Sequence, residues 1–158
     1  MILKRQQFNR TAMKITEALL AEHQVFHSLF DHVERTAPRL KTLGEIKVLG
    51  ALLEASLKAH SDAEDDLLFA PMEHCIEQIG QSKPFHDEHE EIDRTLLGVQ
   101  EARQIAAARK LIKTAVEASR RHFDKEERIV FPMAERVLKA KTLTDLGTEW
   151  SKRREAAK

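Results

Sequence analysis

The sequence is poor in several residue types, and each shortage excludes a class of protein. Cys75 is the one cysteine among 158 residues, which excludes an intramolecular disulfide and a metal site built from cysteines alone. The absence of tyrosine excludes a tyrosyl radical and a tyrosine base. Five glycines and four prolines are few for the many turns of an all-β sandwich, so we expect a different fold class.

The sequence also lacks an excess of positive or negative charge, and it lacks long apolar runs. Lys plus Arg and Asp plus Glu each number 26, so we expect no bulk attraction to nucleic acid or to an anionic membrane. No stretch approaches the roughly 20 apolar residues of a membrane span. The segment Met1–Phe8 lacks the apolar run of a secretory signal. We therefore expect a cytoplasmic protein that forms a single domain over residues 1–158.

Apolar residues recur at helical spacing along most of the chain, and the alternation typical of strands is almost absent. The first inward face runs over Thr16–Val33, and Pro38 should end that helix because the residue before a proline avoids the helical region. A second run follows, and Pro71 should kink or end it. Four such runs predict an all-α, antiparallel four-helix bundle with one shared core over about residues 16–138.

The boundary between the third and fourth runs needs a separate argument. No glycine or proline interrupts residues 99–131, yet one straight helix would separate His89 from His122 by roughly 50 Å at 1.5 Å per residue. We therefore predict a turn within residues 101–108. A short C-terminal helix is expected to start at Thr144 and to continue through Trp150.

The two halves of the chain resemble each other. The segment His60-Ser61-Asp62-Ala63-Glu64 is repeated as His122-Phe123-Asp124-Lys125-Glu126. In both halves a Phe stands nine residues after the histidine, and a Pro-Met pair comes after it. Upstream, Glu22-His23 matches Glu88-His89. Each half therefore contributes a Glu-His helix followed by a His-x-x-x-Glu helix.

This repeat places polar groups on apolar helix faces, because the histidine and glutamate of His-x-x-x-Glu lie one turn apart on the same face. A buried ionised carboxylate costs several kcal/mol unless it is neutralised or paired. Imidazole suits Fe, Zn and Cu, and a carboxylate can bridge two ions. Asp62 and Asp124, which recur in the repeat, are candidates for hydrogen bonds that hold a neighbouring ligand, with exposure to solvent as the equal alternative. The repeat predicts two metal ions held by His23, His60, Glu64, His89, His122 and Glu126.

These motifs resemble the hemerythrin-like (HHE cation-binding) family, whose members are four-helix bundles with a non-haem di-iron centre. The resemblance covers roughly residues 16–138 and is most specific at His60-x-x-x-Glu64 and His122-x-x-x-Glu126. It implies two Fe ions (Fe2+ or Fe3+) with an oxo, hydroxo or water bridge, and Zn is the alternative metal. It also implies that His23 and His60 share one iron and that His89 and His122 share the other.

The chain departs from the oxygen-carrying members of that family at two places. Phe85 stands four residues before His89, where the carriers have a further histidine. The carriers also have an aspartate five residues after the fourth-helix histidine, whereas this chain has Glu126 at four and Glu127 at five. The four-histidine, two-glutamate set instead resembles the iron–sulfur-cluster repair and iron-sensing members. Candidate accessory residues are His86, Glu127 and His27.

The resemblance implies a centre that binds or reacts with O2, NO or peroxide, in sensing, in scavenging or in protecting iron centres. An oxidoreductase acting on peroxide or NO is one form of this function. Iron storage or delivery and a zinc-containing structural bundle without redox activity are the alternatives. A hydrolase is not expected, since His-Glu-x-x-His and Gly-x-Ser-x-Gly are both absent. The expected partner is a small diatomic or peroxide ligand, with a homodimer as a further alternative and no nucleic acid or membrane.

Overall fold

The computed structural model describes residues 13–156, in which every regular element is a helix, as predicted. Residues Met1–Phe8, for which we predict no secretory signal, lie outside the described residues. No helix within 13–156 combines the length and the apolarity needed to cross a bilayer. In chain order the α-helices are α1 (Ile15–Thr36), α2 (Leu43–Glu64), α3 (Ala70–Gln78), α4 (Ser82–Glu101), α5 (Ile105–Lys125), α6 (Phe131–Val137) and α7 (Ala140–Ala156).

Four rods form the antiparallel bundle, which confirms the predicted fold class. They are α1, the continuous pair α2–α3, α4, and the continuous pair α5–α6. The turn between α4 and α5 occupies residues 102–104, inside the predicted range. The C-terminal helix α7 is longer than expected: it begins at Ala140, four residues before the predicted Thr144, and it packs along α1.

Two π-helical turns, Asp65–Phe69 and Glu126–Val130, join the halves of the long rods. In each turn a backbone N–H bonds to the carbonyl five residues earlier, from Ala70 to Asp65 and from Phe131 to Glu126. Pro71 therefore does not end its helix. It follows a turn in which the α-helical register is already broken, so its missing N–H interrupts no regular ladder. The same holds for the proline of the second half.

The core differs from the single shared core that we predicted. It consists of two apolar clusters at opposite ends of the bundle. One includes Phe30, Leu53, Leu96 and Ile112, and the other includes Leu19, Phe69, Met72 and Phe85. Along each rod, the residues between these clusters are histidines and glutamates, which form a buried polar layer. This His/Glu layer consists of His23, His60, Glu64, His89, His122 and Glu126.

The seventh helix is fastened to the start of α1 by a close backbone contact. A Cβ placed on Gly147 would lie 1.9 Å from the carbonyl oxygen of Met13 and 2.9 Å from the carbonyl carbon of Lys14. Only glycine therefore allows α7 to approach α1 this closely. Leu143, one turn earlier, is buried in the cluster that includes Leu19.

Replacing Gly147 by alanine is expected to lower the free energy of unfolding by about 1–3 kcal/mol, because overpacking a tight contact costs about that much. Urea denaturation followed by circular dichroism measures the change. Gly44→Ala is the matched control, since a Cβ there meets nothing closer than 4.0 Å. That control should keep the stability or raise it by up to about 1 kcal/mol. Equal effects of the two substitutions would contradict the close packing of α7.

Candidate metal centre

The His/Glu layer draws its side chains from all four rods. One histidine comes from α1, one from α4, and a histidine followed by a glutamate comes from each of the two long rods. Because the rods are antiparallel and each carries these residues near its middle, the side chains meet at one level of the bundle. Five of the six are at most 2% exposed, and His89 is 12% exposed.

The imidazole nitrogens form two facing pairs. The Nε2 atoms of His23 and His60 lie 3.2 Å apart, and those of His89 and His122 lie 2.7 Å apart. These are the pairs that the family resemblance implies for the two ions. All four Nε2 atoms therefore point to the interior of the layer, where a pair of imidazoles can share one metal ion.

Each glutamate lies between the two histidine pairs. Glu64 Oε2 is 3.7 Å from Nε2 of His60 and 3.6 Å from Nε2 of His89. Glu126 reaches both pairs with its two oxygens: Oε1 is 2.7 Å from Nε2 of His122, and Oε2 is 3.5 Å from Nε2 of His23. A carboxylate in this position can bridge two ions, one at each histidine pair.

Neither glutamate has its hydrogen-bonding capacity met within the described part of the chain. Both oxygens of Glu64 and both of Glu126 are buried and accept no hydrogen bond. The short approach of Glu126 to His122 lacks hydrogen-bond geometry, although the distance would allow one. Buried carboxylates in this state are costly unless a cation is present. The donor set, four imidazole nitrogens and two carboxylates, therefore fits a metal centre.

Two histidines are held at Nδ1, the ring nitrogen that faces away from the interior of the layer. In each case the partner is a glutamate from the neighbouring helix of the same half. His60 Nδ1 lies 2.8 Å from Glu22 Oε2, and His122 Nδ1 lies 2.8 Å from Glu88 Oε2. When Nδ1–H donates a hydrogen bond to a carboxylate, the lone pair of Nε2 is left for a metal ion. In each Glu-His pair of the sequence, the glutamate therefore contacts a histidine on another helix and not the histidine that follows it in the chain.

The Nδ1 atoms of the other two histidines lie near the acidic residue that directly follows Glu64 or Glu126 in the chain. His23 Nδ1 lies 2.9 Å from Glu127 Oε1, and His89 Nδ1 lies 3.3 Å from Asp65 Oδ1. The distance between His89 Nδ1 and Asp65 Oδ1 is the longer of the two, and these atoms do not have hydrogen-bond geometry. Glu127, an accessory candidate in the sequence, thus contacts the outer side of a histidine and not the interior of the layer.

The histidines of the layer differ in how strongly they hold a proton. Burial by itself would lower the pKa of His122, but Glu126 outweighs it and the pKa is raised to about 9. Burial also opposes protonation of His89, yet Asp65 and the adjacent central carboxylate raise its pKa to about 10. Burial lowers the pKa of His23 to about 3, so its ring is neutral. A metal ion that binds here therefore displaces protons from the imidazoles.

The two outer glutamates are strongly acidic. Burial would raise the pKa of Glu22, but hydrogen bonds from His60 and Arg154 outweigh it and hold the pKa at about 2. The pKa of Glu88 is likewise lowered to about 2, because its histidine partner and Lys125 outweigh burial. Both groups are therefore ionised at neutral pH and accept hydrogen bonds as carboxylates.

Aromatic rings cover one side of the layer, and a small cavity adjoins the other. The ring of His23 stacks on Phe123 with centroids 3.8 Å apart and 6° between the ring planes. A cavity of about 20 Å³ borders the three other histidines and is lined by Leu57, Ile92 and Phe123. Ser61 and Asp93 also line it. The layer is thus covered by an aromatic ring at His23 and has a little space beside the other three histidines.

The remaining histidine candidates lie apart from the layer. The side chain of His86 is 48% exposed and its Nε2 is 3.7 Å from Glu73. His27 is 38% exposed, and its Nδ1 lies 3.2 Å from a guanidinium nitrogen of Arg120. His27 Nε2 approaches Glu127 only to 4.0 Å. Neither histidine presents a nitrogen to the interior of the layer.

The outer hydrogen bonds come from residues other than those we predicted. Asp62 pairs with Lys58 and Asp124 pairs with Arg128, in both cases on the same exposed helix face. Neither aspartate holds a histidine. The repeated Glu-His pairs were the available signal for the true partners, but the cross-helix arrangement follows from the packing.

Comparison with known proteins agrees with the chemistry of this layer. The family model of the hemerythrin HHE cation binding domain matches residues 14–144, which include the whole His/Glu layer. No curated protein and no solved structure matches the chain. The residues of α7 from 145 onwards lie beyond the matched part.

The Glu88→Gln variant is expected to bind Fe2+ about 10–100-fold more weakly, the usual effect of losing an outer partner of a metal-binding histidine. Glutamine lacks the negative charge that holds His122 and pairs with Lys125. Anaerobic competition with a coloured ferrous chelator measures the affinity. The control is Glu90→Gln, which removes a charge at an exposed position of the same helix and should bind Fe2+ as the wild type does. Wild-type affinity of the Glu88 variant would contradict this role.

Proposed function

Because the chain belongs to the hemerythrin HHE cation-binding family, we propose that it is a non-haem di-iron protein whose centre binds or reacts with O2, NO or peroxide. One observation carries the proposal: Glu64 and Glu126 are fully buried and accept no hydrogen bond from residues 13–156, and each lies between two facing imidazole pairs. Two cations at those pairs would satisfy both carboxylates at once.

The donor set favours iron over a structural zinc site. Structural zinc sites are closed by four ligands, commonly with cysteine among them. Here two ions would share four imidazoles, with Glu64 in both groups of ligands and Glu126 in the group of His89 and His122, which leaves positions open on each ion for an exogenous ligand. Iron bound there would supply the electrons for a reaction with O2, NO or peroxide.

The surroundings of the layer support a small ligand. A cavity of about 20 Å³ holds roughly one water-sized molecule, so an organic substrate does not fit beside the histidines. Leu57, Ile92 and Phe123 make its lining largely apolar, which suits a diatomic gas or peroxide better than an ion. The outer carboxylates of Glu22 and Glu88 keep the imidazole rings oriented toward the interior.

The chain, reconstituted anaerobically with Fe2+ and desalted, should retain about two iron ions, measured by inductively coupled plasma mass spectrometry. His122→Ala removes one ligand of the pair with His89 and should lower the content to about one ion or less. His86→Ala is the control, because that exposed ring lies outside the layer, and it should retain iron like the wild type. No retained iron, or iron unaffected by His122→Ala, would refute the di-iron centre. Preferential retention of Zn would favour the structural alternative.

Filling the cavity should slow the reaction without removing iron. Leu57→Phe places a larger ring in the cavity lining, so NO and O2 should react several-fold more slowly with the reduced centre, followed by stopped-flow absorbance. Leu52→Phe enlarges an exposed side chain on the same helix and should react at the wild-type rate. Unchanged rates in Leu57→Phe with full iron content would exclude this cavity as the route. Iron that leaves rapidly to a mild chelator, without such a reaction, would indicate storage or delivery.

A further inference from the structure

The C-terminal helix reaches the metal centre through one arginine. Arg154 in α7 donates from Nε to Glu22 Oε1 at 2.6 Å and from Nη2 to Glu22 Oε2 at 3.1 Å. Its Nη1 donates to the carbonyl of Ala59 at 3.1 Å, directly before His60 in the chain. Glu22 in turn holds His60 Nδ1 at 2.8 Å. An unbroken series of contacts therefore runs from α7 to a histidine of the layer.

The repeat explains why this arginine is needed in one half only. In the second half, Lys125 pairs with Glu88, the carboxylate that holds His122. Lys125 follows its histidine by three residues. The residue three after His60 is Ala63, which is buried and carries no charge. The first half thus lacks a cation of its own, and Arg154 supplies one from outside the repeat.

Several contacts hold α7 where Arg154 can act. Arg153 donates to Asp66 in the first π-helical turn at 2.8 Å. The guanidinium of Arg154 also lies over the ring of Trp150, 5.6 Å from its centroid. The close approach of Gly147 to the start of α1 fixes the middle of the helix. Trp150, Arg153 and Arg154 all lie beyond residue 144, where the family match ends, so the matched region does not include this contact.

We propose that Arg154 is a positioning residue for the metal centre: through Glu22 it fixes the ring of His60, and it thereby couples metal retention at the His23–His60 pair to the docking of α7. The inference rests on the proposed two-iron centre. A bidentate arginine fixes a carboxylate in one orientation, and a fixed carboxylate fixes the histidine that it accepts from. Loss of the arginine leaves Glu22 free to turn away from His60.

The test compares iron release from Arg154→Met and the wild type. Both are loaded anaerobically with Fe2+ and mixed with a chromogenic ferrous chelator. In Arg154→Met one of about two iron ions per chain should leave about tenfold faster, and the other at the wild-type rate. Arg154→Lys keeps the charge and should restore part of the retention. Arg153→Met is the matched control, since it removes another α7 contact that does not touch Glu22.

A second measurement separates positioning from a general loosening of α7, and it needs no iron. Long-range 1H–15N spectra of the histidine rings in the metal-free chain should show altered His60 signals in Arg154→Met and unaltered His122 signals. Lys125→Met should give the reverse pattern, because that lysine serves Glu88. Circular dichroism melting shows whether each variant is folded.

The outcomes are distinguishable. If the wild type retains fewer than about two iron ions, the di-iron proposal fails, and the ring spectra alone decide whether Arg154 positions His60. If the wild type retains both and Arg154→Met releases them at the wild-type rates, the inference is wrong. It is also wrong if Arg153→Met speeds release equally, since that result would mean that α7 acts only by packing.

Discussion

Burial of two carboxylates without hydrogen bonds, at the middle of an apolar bundle, is the constraint on which the rest of this structure depends. Glu64 and Glu126 would be among the costliest groups in the chain if nothing compensated them. Compensation comes in two ways: protons on the facing imidazoles without a metal, and cations at the same nitrogens with one. Every histidine of the layer therefore needs an acid behind it, which orients the ring and keeps Nε2 directed inward.

This constraint also shapes the core. A polar layer between two apolar clusters interrupts the packing that would otherwise run the length of the bundle. Each cluster has to hold its end of the rods by itself, and the layer joins them. A metal ion that binds the folded chain only would stabilise the junction by mass action. Folding and metal binding would therefore be linked in this architecture, because the layer that would hold the ions also joins the two clusters.

The sequence was sufficient for the fold and for the six residues of the layer, because both depend on spacing within single helices. Helical periodicity predicted the rods, and the His-x-x-x-Glu repeat identified the polar faces. It was not sufficient for partners on different helices. Asp62 and Asp124 are the acids nearest in sequence to His60 and His122. A residue two positions after a histidine lies on another face of the helix and cannot reach its Nδ1. Glu22, on the adjacent rod, does reach Nδ1 of His60. The divided core and α7 follow likewise from how the rods assemble.

The two halves share one sequence pattern, yet they do not give equivalent surroundings to the two imidazole pairs. The His23 ring stacks on Phe123, whereas the cavity borders the other three histidines, one from the first pair and both from the second. The first pair obtains its outer cation from another helix, and the second from its own repeat. Within the described residues, the candidate ligands also group unequally: Glu64 falls in both groups, whereas Glu126 falls in the group of His89 and His122. Three features therefore distinguish the two pairs: the carboxylates that group with them, the access to them and the charges behind their histidines.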